Sequence, residues 1–458
     1  MDWLKLLSPN RFGQKKPVEG KGNELRSAFE QDFDRVIFSH PFRRLQDKTQ
    51  VFPLPEHDFV HTRLTHSLEV SSVGKSLGRK AGEIILQRHP ELVRQNLSQF
   101  DFGAIASAAS LAHDLGNPPF GHSGEDAISD FFRYNPSGIK FKDRVNSKEW
   151  ADLCNFEGNA QGFRILNKGS YQGLSLTMAT LATFTKYPRE SLIQQRDENR
   201  KSQRKYGFFQ SEKLLFQQLA EEVGLIQVGP GGDLSWSRHP LAFLVEAADD
   251  ICYSIIDLED GCRLGLVDYN QTKNLLAAIL GSKFDETKLN RIDNINERIS
   301  LLRAIAIGVL IDQCVEVFEA NESAMLTGSF DQALTDLIPA KNVLKEISDL
   351  SLERIYRARI VLETEAAGFE VINGLLESFL PAAFSVQFEK ESCTRRDKSI
   401  ARLLPGEVFS LPEAQADREY ALIMNIIDFI SGMTDSFAIS LYRKIKGITL
   451  PSGFPTNF

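Results

Sequence analysis

Cysteine is scarce in this 458-residue chain: five residues, at 154, 252, 262, 314 and 393, with no CxxC pair among them. The odd count and wide spacing exclude a disulfide framework and a zinc ribbon, and read as reduced thiols of a cytoplasmic protein. Long hydrophobic runs are missing too. The most apolar stretch, 301–318, is broken by Arg303 and Asp312, so no segment is expected to cross a bilayer. The opening MDWLKLLSPNRFGQKKP breaks too early for a signal peptide. An excess of positive charge is absent as well: a net charge of −8 excludes a globally basic nucleic-acid binder, though not a local basic groove. Alternating strand patterns are few, QVFPL at 50–54 being the best, and there is no internal repeat or low-complexity tract.

What remains is an ordinary globular composition, 42% hydrophobic and 25% charged, with helical spacing nearly throughout. Apolar residues recur three and four apart over 62–86, 101–115, 209–225, 240–259, 288–320 and 418–446, which predicts an all-α fold. Residues 1–30 are polar and rich in Lys, Arg and Gly, and read as an arm over the surface or a neighbouring subunit. A polar insertion at 188–207 carries Arg189, Arg196, Arg200, Lys201, Arg204 and Lys205. It reads as a solvated mobile loop, with a phosphate-steering lid or nucleic-acid contact as the functional alternative. The expected division is a catalytic helical core at 31–270 and a C-terminal helical region at 271–458 packed on it.

Six of the eight histidines fall between His57 and His122. His113 and Asp114 adjoin at the end of an apolar stretch, followed by Gly116 and Pro118-Pro119, so an imidazole and a carboxylate can turn to one point at a frayed helix end. Nitrogen and oxygen donors together suit a hard or borderline cation. Upstream, His66 opens a helix whose small residues permit close packing. Downstream, Asp249 and Asp250 lie inside an apolar helix, where a carboxylate pair is costly unless compensated. One metal on His66, His113, Asp114 and Asp249 would compensate it. Recruitment of imidazole favours Mn²⁺, Fe²⁺ or Zn²⁺ over Mg²⁺. His40, His57, His61 and His89 sit in polar or turn-like sequence and read as surface or capping residues.

Other residues have the spacing for chemistry. His122 and Glu125 stand i, i+3, which suits a carboxylate fixing an imidazole tautomer in an acid–base pair. Arg63 precedes His66 by three residues and shares its helix face, and Lys186 beside Tyr187 is the next fixed positive charge for a phosphate. Asp249, Tyr253 and Asp257 stand i, i+4, i+8 along one face. Arg43 and Arg44 are ambiguous with helix-anchoring ion pairs, and Asn159 and Gln161 with backbone-satisfying amides.

The words PFRRLQDKTQVFP (41–53), RLTHSLEV (63–70), HDLGNPPFGHSGE (113–125), NFEGNAQGFRIL (155–166), LTMATLATFTKYP (176–188), EAADDICYSIIDLED (246–260) and SGMTDSFAISLYRKIKG (431–447) span most of the chain. In that order they resemble the HD-domain metal-dependent phosphohydrolases, and more closely the deoxynucleoside triphosphate triphosphohydrolases of the bacterial dGTPase type. The resemblance implies an HD-type helical core with added C-terminal helices. It also implies hydrolysis of a dNTP, with dGTP the favoured guess, at the α-phosphorus to deoxynucleoside and tripolyphosphate, supported by a divalent ion such as Mn²⁺ or Mg²⁺. It assigns metal ligation to His66, His113, Asp114 and Asp249, and catalysis to His122 and Glu125. It gives the triphosphate to Arg63, the base to Gln46, the deoxyribose to Tyr253 and the 3′-hydroxyl to Asp257. Asn117 departs from relatives that carry a second His there, which puts in doubt any mechanism needing that imidazole. Single-stranded DNA and homo-oligomeric assembly, a hexamer included, are further implications, with no membrane partner. Two other readings share the cage. One is another HD phosphohydrolase, acting on cyclic nucleotides, nucleoside monophosphates or guanosine polyphosphates. The other is a single-stranded nucleic-acid-binding regulator with a structural metal.

Overall fold

The computed structural model describes residues 1–13, 26–51, 61–168, 173–229 and 232–449, and among these the chain is helical with only three isolated β-bridges. Helix α1 (Arg63–Arg88) starts where Thr62 accepts a hydrogen bond from the Thr65 N–H. Along it, Gly74, Gly78 and Gly82 recur at four-residue intervals against Ser110, Ala106 and Phe102 of α2 (Gln99–Ala112). A methyl group on Gly78 would lie 2.6 Å from the Phe102 carbonyl oxygen, so the two backbones approach closer than any larger residue allows. This is the most extensive helix pair of the fold. Helix α2 ends at His113, just before the Pro118-Pro119 pair that cannot continue it. After a turn, α3 (His122–Tyr134) begins at Gly121, whose φ of +59° only glycine adopts freely.

Helices α4 (Ala242–Arg263) and α5 (Ile295–Leu326) complete the first apolar cluster with α1 and α2. A second cluster joins α3 to α6 (Arg359–Gln387), α7 (Arg418–Ser431) and α8 (Asp435–Ile445). A third gathers residues 36–45, 163–184 and 208–223. Among the described residues, α6 is the one unbroken helix long and apolar enough to span a bilayer, and 61% of its apolar window is buried against other helices.

Several expectations need correction. The stretch expected to be polar arm begins in the core: Trp3, Leu6 and Leu7 are buried, and Arg11 pairs with buried Asp32. Residues 14–25 of that arm lie outside the described residues. The strand expected at 50–54 also falls mostly outside them, and Gln50 and Val51 form a bend. The insertion at 188–207 is tied down rather than loose: Arg200 pairs with Asp331, Lys201 with Asp336 and Lys205 with Glu157, while Arg189 is buried on backbone carbonyls. The single helical run expected over 418–446 is two helices bent by 113°. Thr434 caps α8 by accepting from the Phe437 N–H, and Gly432 packs tightly against the Asp428 carbonyl. Spacing alone cannot detect that corner, because both halves keep their apolar face.

Candidate functional site

Four helices meet around one cavity of about 430 Å³. The first turn of α1 brings Arg63 and His66, both buried; the end of α2 brings His113 and Asp114; the middle of α4 brings Asp249. His66 Nε2 lies 3.2 Å and His113 Nε2 3.4 Å from Asp249 Oδ1, and His113 Nε2 lies 3.5 Å from Asp114 Oδ1. One donor atom from each of His66, His113 and Asp249 lies within 4.8 Å of the others, so this group can hold a metal ion. The tautomer favours it. His113 Nδ1 is 2.7 Å from the Ser110 carbonyl, which only an N–H can satisfy, leaving Nε2 as the lone-pair side.

Charge around the cage is arranged from outside. Arg63 Nη1 donates to Asp114 Oδ2 at 2.7 Å and Lys186 Nζ to Asp249 Oδ2 at 2.5 Å, each on the oxygen turned away from the imidazoles. Asn117, at the position that differs from some relatives, donates from Nδ2 to Asp114 Oδ1 at 2.6 Å. Burial alone would raise both carboxyls, yet Arg63 and the imidazoles hold Asp114 below its usual range, and Lys186 and His113 do the same for Asp249. Burial likewise opposes a charged His113, but Asp114 and Asp249 outweigh it and push the imidazole up. Two ionised carboxylates attracting positive charge onto a buried imidazole are what a divalent cation would replace.

Across the cavity, His122 Nδ1 is 2.7 Å from Glu125 Oε2, and Glu125 Oε1 accepts from the Gly158 N–H at 2.7 Å. The hydrogen bond to Glu125 raises the His122 pKa. The carboxylate is buried while the imidazole is exposed to the cavity, so Nε2 is its open nitrogen. Lys186, Tyr187 and Lys205 line the same space. Tyr253 stacks on Tyr356 with ring centroids 5.5 Å apart, and both face the cavity.

Two expected site residues are not brought there. Gln46 is exposed and does not line the cavity, whereas Gln50, four residues on, does; its buried Oε1 has no hydrogen-bond partner. Asp257 sits behind the wall. It is buried, accepts from the Tyr356 hydroxyl at 2.6 Å, and is pushed up to about 7 by burial. Asn159 lines the cavity, but Gln161 faces a separate space of about 880 Å³ that contains none of the cage residues. Arg44 anchors helices, donating to the Gly432 carbonyl.

His61 is neither surface nor cap: it bridges Asp260 at 2.7 Å and Glu69 at 3.2 Å, linking α4 to α1. His89 keeps a helix-end role beside Glu91 and Glu322, and His57 lies outside the described residues. Lys205 was visible in the sequence as part of the basic insertion; Tyr356, Thr364 and Glu365 come from a region with no local sign of chemistry.

A family model described as the phosphohydrolase-associated domain matches residues 339–444. The chain is 44% identical to a deoxyguanosinetriphosphate triphosphohydrolase-like protein of Synechocystis sp., covering 98% of this chain and 100% of that protein. A protein of the same description from Pseudomonas aeruginosa is 39% identical over 99% of this chain and 100% of its own length. The deoxyguanosinetriphosphate triphosphohydrolase of Salmonella arizonae is 31% identical over 93% of this chain and 95% of its own.

Proposed function

The chain belongs to the deoxyguanosinetriphosphate triphosphohydrolase family, and from that premise we propose that it hydrolyses deoxynucleoside triphosphates, dGTP foremost, to deoxynucleoside and tripolyphosphate. Water attacks the α-phosphorus, the bond from phosphorus to the 5′-oxygen breaks, and that oxygen leaves with a proton. One observation carries the reading: a single cavity holds the His66–His113–Asp249 donor group, the His122–Glu125 pair and three cationic side chains.

His66, His113, Asp114 and Asp249 would hold a divalent ion, Mn²⁺, Mg²⁺ or Fe²⁺. When bound, it supplies Lewis-acid charge to the phosphate. Arg63, Lys186 and Lys205 each rest on a carboxylate, and they exchange part of that pairing for phosphate oxygens. His122, whose protonated form the Glu125 carboxylate favours, donates from Nε2 to the departing 5′-oxygen. Tyr253, stacked on Tyr356, fills the room a 2′-hydroxyl would need. Asp257 fixes Tyr356 in that wall, and Gln50 is the polar group offered to sugar or base. Single-stranded DNA binding and homo-oligomeric assembly belong to the same reading; sedimentation with and without oligonucleotide tests both.

The deciding experiment incubates the protein with each dNTP and with GTP, in Mn²⁺ and in EDTA, and separates products by anion exchange. Deoxynucleoside and tripolyphosphate are expected only with metal. Monophosphate or diphosphate products would overturn the reaction, and equal turnover of GTP would overturn the Tyr253 wall.

A further inference from the structure

The turn between the His113–Asp114 pair and the His122–Glu125 pair closes through the Gly121 N–H, which donates to the Pro118 carbonyl at 3.2 Å, yet it puts a bulky residue where the backbone must be left-handed. Phe120 has φ of +64°, a left-handed conformation that a bulky side chain rarely adopts, and Gly121 follows at +59°. His122 comes next, so the direction of its side chain depends on this double reversal. The carboxylate that holds it comes from 315 residues further along the chain. Asp435, 1% exposed at the start of α8, accepts from the Phe120 N–H through Oδ1 at 3.0 Å. Its Oδ2 accepts from the Thr49 N–H at 2.9 Å and the Thr49 hydroxyl at 2.5 Å. The other end of the turn is fixed in parallel, because Lys48 Nζ donates to the Asn117 carbonyl at 2.6 Å and the Ser431 carbonyl at 2.8 Å. The Phe120 side chain closes against Gly368 of α6, where an added methyl would come within 2.9 Å.

We propose that Asp435 is a positioning residue for the reaction: from the α7–α8 corner it holds the Asn117–Gly121 turn in the conformation that presents His122 to the cavity with Nδ1 on Glu125. The proposal rests on the reading of His122 as proton donor. Without the Asp435 acceptor, the buried Phe120 N–H loses its partner and the left-handed turn can relax to an ordinary one. The start of α3 then swings, and the His122–Glu125 hydrogen bond loosens while the metal cage, built on α1, α2 and α4, stays intact. The bend that splits α7 from α8 is what brings a carboxylate to this spot. It gives the region matched by the phosphohydrolase-associated family model a part in positioning the His122 side chain.

Asp435→Asn and Asp435→Ala test this, with Ser436→Ala as the control on the same helix, where the exposed Ser436 hydroxyl donates to Asp47. The measurements are kcat and KM for dGTP with Mn²⁺, bound metal, and the His122 imidazole titration followed by NMR. The groups bearing on that titration are Glu125, Lys205, Arg63 and Asp126. The expected result is a kcat reduced roughly 10- to 100-fold in the alanine variant and less in the asparagine variant, with KM nearly unchanged and metal retained. The His122 titration should fall back toward its ordinary value of 6.5. Wild-type kcat and an unmoved titration in a folded variant overturn the proposal. A kcat loss that tracks only the melting temperature also overturns it. If the alanine variant does not fold, the asparagine variant decides on the same readouts. Full turnover by His122→Gln would sink the proton-donor reading instead, and the titration in Asp435→Asn would still judge the positioning role.

Discussion

His66, His113 and Asp249 sit on helices packed face to face over small residues, whereas His122 and Glu125 follow a turn with two consecutive left-handed residues. The first group is held by close backbone packing, of which the Gly78–Phe102 approach is the tightest point named above. The second is held by hydrogen bonds to residues far away in the chain. A packed helical corner gives ligand atoms little room to move and suits a cage that must stay ready for an ion. A turn latched from a distance can be rebuilt or detuned more readily, and it meets the cage through the Asn117–Asp114 hydrogen bond.

Asp114→Ala breaks the comparison on its stronger side. Bound metal should be lost and turnover should drop roughly a thousandfold or more; elemental analysis alongside the product assay checks both, and full occupancy would sink the ligand assignment. His122→Gln sharpens the contrast from the other side. It should reduce kcat about 10²- to 10⁴-fold, the usual reach of one acid–base group, while metal content stays at the wild-type level. Loss of metal in this variant would mean the two sides are not independent.

Gly78→Ala pushes the packed helices apart. Helix propensity alone would favour it, but the 2.6 Å approach to the Phe102 carbonyl should win, giving a net cost of about 1–3 kcal/mol in thermal unfolding and weaker metal retention. A higher melting temperature would show that the close approach matters less than backbone entropy.

The smallest effect concerns His61, which ties two of the three cage helices, α1 and α4, together. Burial pulls its pKa down, but the hydrogen bonds it donates to Asp260 and Glu69 outweigh that and raise it to about 10. A histidine raised above its unfolded value contributes stability that is complete below pH 6.5 and is lost as pH climbs through 10. Wild type should therefore exceed His61→Gln by about 1–2 kcal/mol in acid and neutral buffer, after allowance for solvent screening, with the gap closing toward pH 10. A gap independent of pH would mean His61 acts by shape alone.

The cage was legible in the residues. The donor types of His66, His113 and Asp249 and the helices that carry them follow from local sequence, while their convergence comes from helix packing. Gln46 is exposed and does not line the cavity while Gln50, four residues on, does, and only the fold shows which of two identical side chains faces inward. Asp257 illustrates the same limit: it accepts from the Tyr356 hydroxyl, and it is Tyr356, distant in the chain, that lines the cavity.

By itself, the sequence determined the all-α character, the donor types and the order of the chemical words, since these follow from periodicity and from what each side chain can do. Only the tertiary structure decided that α7 and α8 meet at a sharp corner and that Asp435 reaches Phe120. It alone decided that Tyr356 and Lys205 complete the cavity. These are contacts between residues distant in the chain, set by how helices pack, and no local pattern records which distant groups that packing will bring together.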